Sequence, residues 1–147
     1  FWLWLQSEDW SKPGIILMGL WGAGASMIIW LAGLKGVPQH LYEAAEIDGA
    51  GPWRRFTNVT LPMLTPYIFF NMVTGVIGTF QVFTQAFVMT NGGPAQSTLF
   101  YVYYLFNNAF SYFKMGYASA MAWLLFLMIL ALTAFQLWGA KRWVHYE

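Results

Sequence analysis

Polar side chains that could bind a ligand recur along a long uncharged part of the chain. Residues 56–113 contain no Asp, Glu, Lys or Arg. Within them, five polar or very small residues follow one another at i, i+3, i+7, i+10 and i+14: Asn71, Thr74, Gly78, Gln81 and Gln85. This spacing predicts one shared face of a helix. Uncharged amides and hydroxyls suit hydrogen bonding to a neutral polyol, whose hydroxyls they can both donate to and accept from.

The same face has a second interpretation. Unpaired amides are costly in hydrocarbon, so the face should point either to a wet cavity or to another helix. Against another helix, small and polar residues often serve packing alone. Packing also explains a cluster of small residues earlier in the chain: Gly19, Gly22, Gly24, Ala25 and Ser26. The residues by themselves leave both interpretations open.

Other kinds of chemistry lack the residues that they need. His40 and His145 have no carboxylate or second histidine at metal-ligand spacing, and the chain has no cysteine. Gly92 and Gly93 are not followed by the Lys-Ser/Thr pair of a phosphate-binding loop. We therefore predict that the chain is not an enzyme, binds no metal or other cofactor, and does not itself hydrolyse ATP.

The composition predicts that membrane helices position the polar face. Of 147 residues, 59% are hydrophobic and only 9% are charged, against roughly 25% charged in soluble proteins. Uncharged stretches of about 20 residues are long enough to cross a bilayer. Three are predicted to do so, at 13–34, 62–90 and 117–140, with the middle helix itself at about 64–89. The expected fold class is an all-α, polytopic membrane helical bundle, and the start at Phe1 suggests a larger protein.

The basic residues predict the orientation in the membrane, because cytoplasmic loops carry the excess of Lys and Arg. Lys12 and Lys114 are the two that fall in the segments 1–12 and 91–116, which we expect outside the cell membrane, the second with a short aromatic helix. The loop 35–61 and the tail 141–147 are expected to be cytoplasmic, since they hold the other five: Lys35, Arg54, Arg55, Lys141 and Arg142.

The cytoplasmic loop is predicted to fold as two short helices around a turn, here called the bracket (residues 39–61). Pro38 fits a first helical turn, and residues 41–48 are mostly good helix formers. Gly49, Ala50 and Gly51 should end that helix, and Pro52 can begin the next. One side of the first helix, with small residues that allow a partner close, carries Leu41, Ala44, Ala45 and Asp48. The alternative is an ordinary amphipathic connector on the membrane surface.

The bracket resembles the EAA loop of ABC-importer permeases, the cytoplasmic element that docks on the ATP-hydrolysing subunit. The residues that carry the resemblance are Glu43, Ala44, Ala45, Asp48, Gly49, Ala50, Phe56, Val59, Leu61 and Pro62, with isoleucine more usual at Val59. The rest of the chain resembles the carbohydrate-uptake branch, in the subunit similar to the larger permease of the maltose transporter. Its matching stretches are TNGGP, LFYVYYLFNNAF, FKMGYASAMAW and KRWVHYE.

This resemblance implies the C-terminal half of a type I ABC-importer permease fold, and it assigns roles to particular residues. The ATPase-coupling residues would be Glu43, Ala44, Ala45, Asp48, Gly49 and Ala50. The helices on either side of the bracket would line a substrate passage with Trp21, Gly22, Ala23, Ser26, Gly75, Thr79, Gln81, Val82 and Phe83.

The predicted function is that of a permease subunit of an ATP-driven sugar importer in the plasma (inner) membrane of a bacterium or archaeon. The implied partners are a second permease subunit, ATP-binding cassette ATPase subunits, an extracytoplasmic sugar-binding protein and membrane lipid. A small neutral sugar is expected as substrate because no Lys or Arg falls in the predicted spans. The near balance of charges predicts no nucleic acid partner.

Two other functions fit the sequence less well. A secondary transporter would usually need an ion-coupling carboxylate within a span, and none of the six acidic residues falls in one. A structural membrane bundle would explain the spans but neither the polar face nor the bracket.

Overall fold

Helices connected by turns and loops make up the residues that the computed structural model describes, 4–144 without the side chain of Ala25, and no strand occurs among them. His145 and the outermost residues of the segments 1–12 and 141–147 lie outside this range. The helices are α1 (Ser11–Gly19), α2 (Ala23–Gly36), α3 (Gln39–Ile47), α4 (Pro52–Arg55), α5 (Leu61–Phe80), α6 (Tyr101–Phe106) and α7 (Met115–Ala140). Five-residue π-helical turns follow α4 at Phe56–Thr60, precede residue 91 at Ala86–Thr90 and follow α6 at Asn107–Ser111.

Within the described residues, two helical stretches are long and apolar enough to cross a membrane, Pro52–Phe80 and Met115–Ala140. A third span results if the interrupted pair Ser11–Gly22 and Ser26–Gly36 counts as one. Along α7, large apolar side chains such as Trp123 (65% exposed) and Phe135 (67% exposed) have little cover from the described chain. Exposed apolar surface on this scale is what lipid or neighbouring membrane helices cover. The expected all-α, polytopic membrane fold is confirmed.

Two of the predicted helices differ from the structure in their continuity. The first begins at Ser11 and not at Pro13, and a 3-10 turn at Leu20–Gly22 separates α1 from α2. The middle helix, expected to run over 64–89, ends at Phe80, and residues 81–83 are not helical. There the Gln81 N–H donates to the Gly78 carbonyl oxygen at 3.1 Å, three residues back, which closes the helix. The prediction of a continuous helix was therefore wrong. Residues 81–83 include no glycine or proline, so the sequence does not mark this break.

The described chain forms two compact units. The first comprises the residues up to Gly22 together with Gly75–Ala134, and the second comprises Ala23–Thr74 together with the residues from Phe135 onward. In the second unit, α2 packs against α5 at Gly33, where an added Cβ would lie 2.9 Å from Cγ of Tyr67 and 3.0 Å from Cδ2 of Leu64. Only a residue without a side chain permits this approach, as at many membrane helix interfaces.

A proline inside α5 is tolerated because a neighbouring side chain replaces the missing hydrogen bond. Pro66 has no N–H to donate to the carbonyl oxygen of Pro62. The hydroxyl of the buried Thr65 donates to that oxygen instead, at 2.7 Å. In a membrane helix, this replacement hydrogen bond keeps the backbone carbonyl of Pro62 satisfied.

In the first unit, a polar turn and an aromatic cluster hold the segment after α5. Phe83 lies 5.3 Å from Phe87 and 5.1 Å from Phe106, measured between ring centroids, and Tyr103 packs edge-on against Phe83 at 6.0 Å. These ring contacts favour the conformation in which residues 81–83 leave the helix. The turn expected at 91–94 is confirmed: Asn91 adopts a left-handed φ of 48° and ends the π-helical turn before it.

Candidate functional site

The first helix of the bracket ends in a Schellman motif. Gly49 adopts a φ of +72°, its N–H donates to Glu46 O at 3.0 Å, and the N–H of Ala50 donates to Ala45 O at 2.9 Å. This pair of bonds satisfies carbonyls at the helix end and requires a left-handed residue, which glycine provides at little cost. The helix stop predicted at Gly49 and the restart at Pro52, the first residue of α4, are both confirmed. Pro38, expected in the first turn, precedes α3 at its N-cap.

Side-chain hydrogen bonds tie α3 to the residues that lead into the membrane helix. Arg55 donates from Nε to Ala50 O at 2.9 Å and from Nη1 to Glu46 Oε2 at 3.2 Å. The hydroxyl of Tyr42 lies 2.8 Å from that of Thr60, the buried residue immediately before α5. The ion pair is exposed and contributes little stability, about 0–1 kcal/mol. The ion pair instead helps to hold the geometry, because together with the hydrogen bonds of Tyr42 and Arg55 it fixes the bracket to the start of α5.

The six predicted coupling residues lie together on α3 and the turn after it. Glu43, Ala44, Asp48 and Gly49 are exposed, whereas Ala45 and Ala50 are half-buried. Two exposed apolar residues of the bracket escaped the sequence interpretation: Ile47 is 87% exposed and Trp53 is 76% exposed. Exposed apolar side chains of this size are available for contact with another molecule. The signal in the sequence was an isoleucine and a tryptophan next to the charged residues Asp48 and Arg54.

A cavity of about 680 Å³ lies within the first compact unit. Three of the predicted passage residues line it: Gly22, Thr79 and Val82. The other lining residues come from α1, the 3-10 turn region and the segments that follow α5: Lys12, Ile15, Ile16, Met18, Gly19, Gln85, Met89 and Phe100. The wall is therefore mainly apolar, with a hydroxyl, an amide and an ammonium group, as in many small-molecule sites.

The remaining predicted passage residues lie elsewhere. Trp21 is 90% exposed, Gln81 lies in the break after α5, and Phe83 belongs to the aromatic cluster. Gly75 lies on α5 outside the cavity lining, and a Cβ added there would meet no described atom within 4 Å. Ala23 and Ser26 belong to the second compact unit.

The polar face expected along one helix is divided by the structure. Asn71 and Thr74 lie on α5 and donate to that helix's own carbonyl oxygens, at Tyr67 and Phe70, both at 2.9 Å. Such bonds satisfy these donors without a second helix or a cavity. Gln81 and Gln85 lie beyond the end of α5, so the face does not continue to them. Of the five residues, Gln85 reaches the cavity.

The structure also places a basic residue in the cavity wall. The expectation that no Lys or Arg falls in the spans took the first helix to begin at Pro13, whereas α1 begins at Ser11 and includes Lys12. Lys12 lines the cavity together with Thr79 and Gln85. Among residues 4–144, no group of three His, Asp or Glu side chains could hold a metal ion.

Comparison with known proteins identifies the family to which this chain is related. Residues 1–145 match the family described as binding-protein-dependent transport system inner membrane component. The chain is 46% identical over 147 residues to the probable ABC transporter permease protein YesP of Bacillus subtilis, covering 99% of the chain and 48% of that relative. It is 38% identical to the lactose transport system permease protein LacF of Rhizobium radiobacter, over 95% of the chain and 48% of LacF. It is 34% identical to the arabinooligosaccharides transport system permease protein AraP of Bacillus subtilis, over 91% and 44%.

The helical membrane architecture is thus that of a family of transport-system membrane components. The chain is a member of the family of binding-protein-dependent transport system inner membrane components. It is accordingly a helical protein of the inner membrane, and it spans about half the length of the curated relatives named above.

Proposed function

We propose that this chain forms part of a permease subunit of an ATP-driven sugar importer, with the bracket as the element that couples it to an ATPase. The observation that carries the proposal is the bracket itself: a helix stopped by Gly49 and hydrogen-bonded through Tyr42 and Arg55 to the segment entering α5. A docking element joined rigidly to a membrane helix can pass a movement of the partner into the membrane. Ile47 and Trp53 supply the exposed apolar contacts that such a partner would bury.

The proposed transport cycle combines the bracket with the membrane helix α5. Closure of two ATPase subunits would move the bracket, and α5 would follow, switching the passage between the two faces of the membrane. A second permease subunit would complete the path, and an extracytoplasmic binding protein would deliver the substrate. A sugar is proposed as substrate because relatives are named for lactose and arabinooligosaccharide transport. The cavity with Thr79 and Gln85 supports it through hydroxyl and amide groups beside apolar walls.

The proposal is tested by isolating the full-length permease with its partners. An ATP-binding cassette ATPase should co-purify with it, and its ATP hydrolysis should rise when sugar-loaded binding protein is added. Ion-driven sugar uptake without any ATPase would support the secondary transporter instead, and no transport in any form would leave the structural bundle.

The proposed orientation predicts which positions a membrane-impermeant thiol reagent reaches. The chain has no cysteine, so single cysteines in it report without background once any cysteine elsewhere in the full-length protein has been replaced. Both Glu43 and Lys114 are exposed, so a cysteine at either position can react. Glu43→Cys should react only from the cytoplasmic side, and Lys114→Cys only from the other side. Ser97 would be a poorer probe, since its hydroxyl bonds to that of the buried Ser11 at 2.9 Å. Labelling of both cysteines from one side would reject the orientation drawn from the basic residues.

The hydrogen bond between Tyr42 and Thr60 predicts a residue that positions the bracket. Tyr42→Phe keeps the ring but removes the hydroxyl that reaches Thr60, at a cost of about 1 kcal/mol. We expect the assembled complex to hydrolyse ATP while transporting several-fold fewer sugar molecules per ATP. Tyr104→Phe, the same change in an exposed part of α6 of the other unit, is the control. An unchanged ratio of sugar transported to ATP hydrolysed would remove Tyr42 from the coupling path.

A further inference from the structure

The cavity in the first compact unit carries an unbalanced positive charge. Among its described lining residues, Lys12 is the charged one, and no carboxylate within residues 4–144 lies at ion-pair distance from its ammonium group. The nearby acidic residues Glu8 and Asp9 precede α1 and do not line the cavity. A ligand that fills this cavity therefore meets a cation that the described chain does not neutralise.

The other walls determine what kind of anion fits. Thr79 donates its hydroxyl proton to Gly75 O at 2.8 Å, so the oxygen remains free to accept a hydrogen bond from a ligand hydroxyl. The amide of Gln85 can both donate and accept. Ile15, Val82 and Phe100 offer apolar surface for C–H faces. Together these groups match a molecule with hydroxyls, apolar faces and a negative charge.

We propose that Lys12 is a specificity-determining residue that selects a sugar carrying a single negative charge, of the uronic acid class. One ammonium balances one carboxylate, whereas a phosphate ester would leave up to one charge unpaired. A ligand seated against the apolar walls would exclude part of the solvent around the ammonium group, which strengthens the attraction. This inference rests on the proposed function, since it names the substrate class of the same cavity, and it replaces the neutral sugar expected from the sequence.

Lipid headgroups are the competing partner for this ammonium group. Lys12 lies in the first turn of α1 and is exposed, and lysines near the ends of membrane helices extend toward headgroups. Its place among the residues that line the cavity, together with Thr79 and Gln85, favours the ligand. The two partners differ in a measurable way, because a headgroup contact gives no preference between an acidic sugar and its neutral counterpart.

The test uses a matched pair of sugars that differ only at the carboxylate. Equilibrium binding of a galacturonate-containing disaccharide, and of the same disaccharide with its carboxylate reduced to an alcohol, is measured on the purified full-length complex. The binding protein is left out so that its own selectivity does not contribute. Lys12→Met removes the charge at similar length, and Lys12→Arg retains it. The same preparations, with binding protein added, are assayed for ATP-driven uptake of both sugars.

We expect the unaltered complex to bind the acidic sugar more tightly than the reduced one by about tenfold or more, as one charge-assisted hydrogen bond provides. Lys12→Met should abolish that preference, and Lys12→Arg should keep most of it. Equal preference in the unaltered and Lys12→Met complexes, or none in either, would overturn the inference and assign Lys12 to lipid. Absence of any co-purifying ATP-binding cassette ATPase from the full-length permease would instead reject the proposed function.

Discussion

Replacing Gly49 by valine is expected to abolish sugar-stimulated ATP hydrolysis in the full-length complex while the permease remains in the membrane. Gly49 has a φ of +72°, and the two bonds that end α3 depend on that conformation. A left-handed residue with a side chain costs roughly 1–2 kcal/mol, and a β-branched one costs more. Because 1.4 kcal/mol is a factor of ten in an equilibrium, we expect stimulation to fall about tenfold or more.

A matched control lies two residues further along the chain. A Cβ added at Gly49 or at Gly51 would meet no described atom within 4 Å, so neither position lacks space. They differ in backbone conformation, because Gly51 has φ −67° and ψ 168°, which valine adopts readily. Gly51→Val should therefore retain stimulation. The measurement is the ATPase rate with and without sugar-loaded binding protein, normalised to assembled complex. Equal loss in both variants would mean that the backbone turn at Gly49 has no special part in coupling.

Transport is expected to fall about tenfold or more per assembled complex when Thr79 is replaced by leucine. Thr79 lines the cavity and donates its hydroxyl proton to Gly75 O, so leucine would both occupy part of the cavity volume and remove a hydroxyl oxygen that is free to accept a hydrogen bond from a ligand. Added volume in a formed site costs about 1–3 kcal/mol, which corresponds to this loss. Thr79→Val separates the two causes, since it removes the hydroxyl with little change in size.

The control for this prediction is Ile77→Leu, on the same helix but outside the cavity lining. This conservative exchange should cost less than about 1.5 kcal/mol and leave transport nearly unchanged. Uptake is normalised to the amount of complex recovered in detergent. A normal rate per complex with less complex assembled would show that Thr79 serves helix packing, and the passage would then have to be sought elsewhere in the full-length protein.

The sequence by itself determined the features that depend on local chemistry. The scarcity of charge predicted membrane helices, and Gly49 and Pro52 predicted where one short helix ends and the next begins. The turn at 91–94 followed from its asparagine, glycines and proline. Glycine conformation, proline at a helix start and the cost of charge in hydrocarbon act over a few residues. Their consequences can therefore be derived from the order of residues alone.

Tertiary structure decided what depends on residues far apart in the chain. Periodicity placed Gln81 and Gln85 on one continuous helix, yet that helix ends at Phe80, where the ring of Phe83 packs against that of Phe106, 23 positions further along. The sequence alone assigned no function to Tyr42, whereas the structure places the Tyr42 hydroxyl 2.8 Å from that of Thr60. The uncharged stretch that begins at Pro13 left Lys12 outside the predicted membrane helix, whereas the structure places Lys12 among the residues that line a cavity with Thr79. Such contacts arise from packing between segments, and helical periodicity carries no information about them.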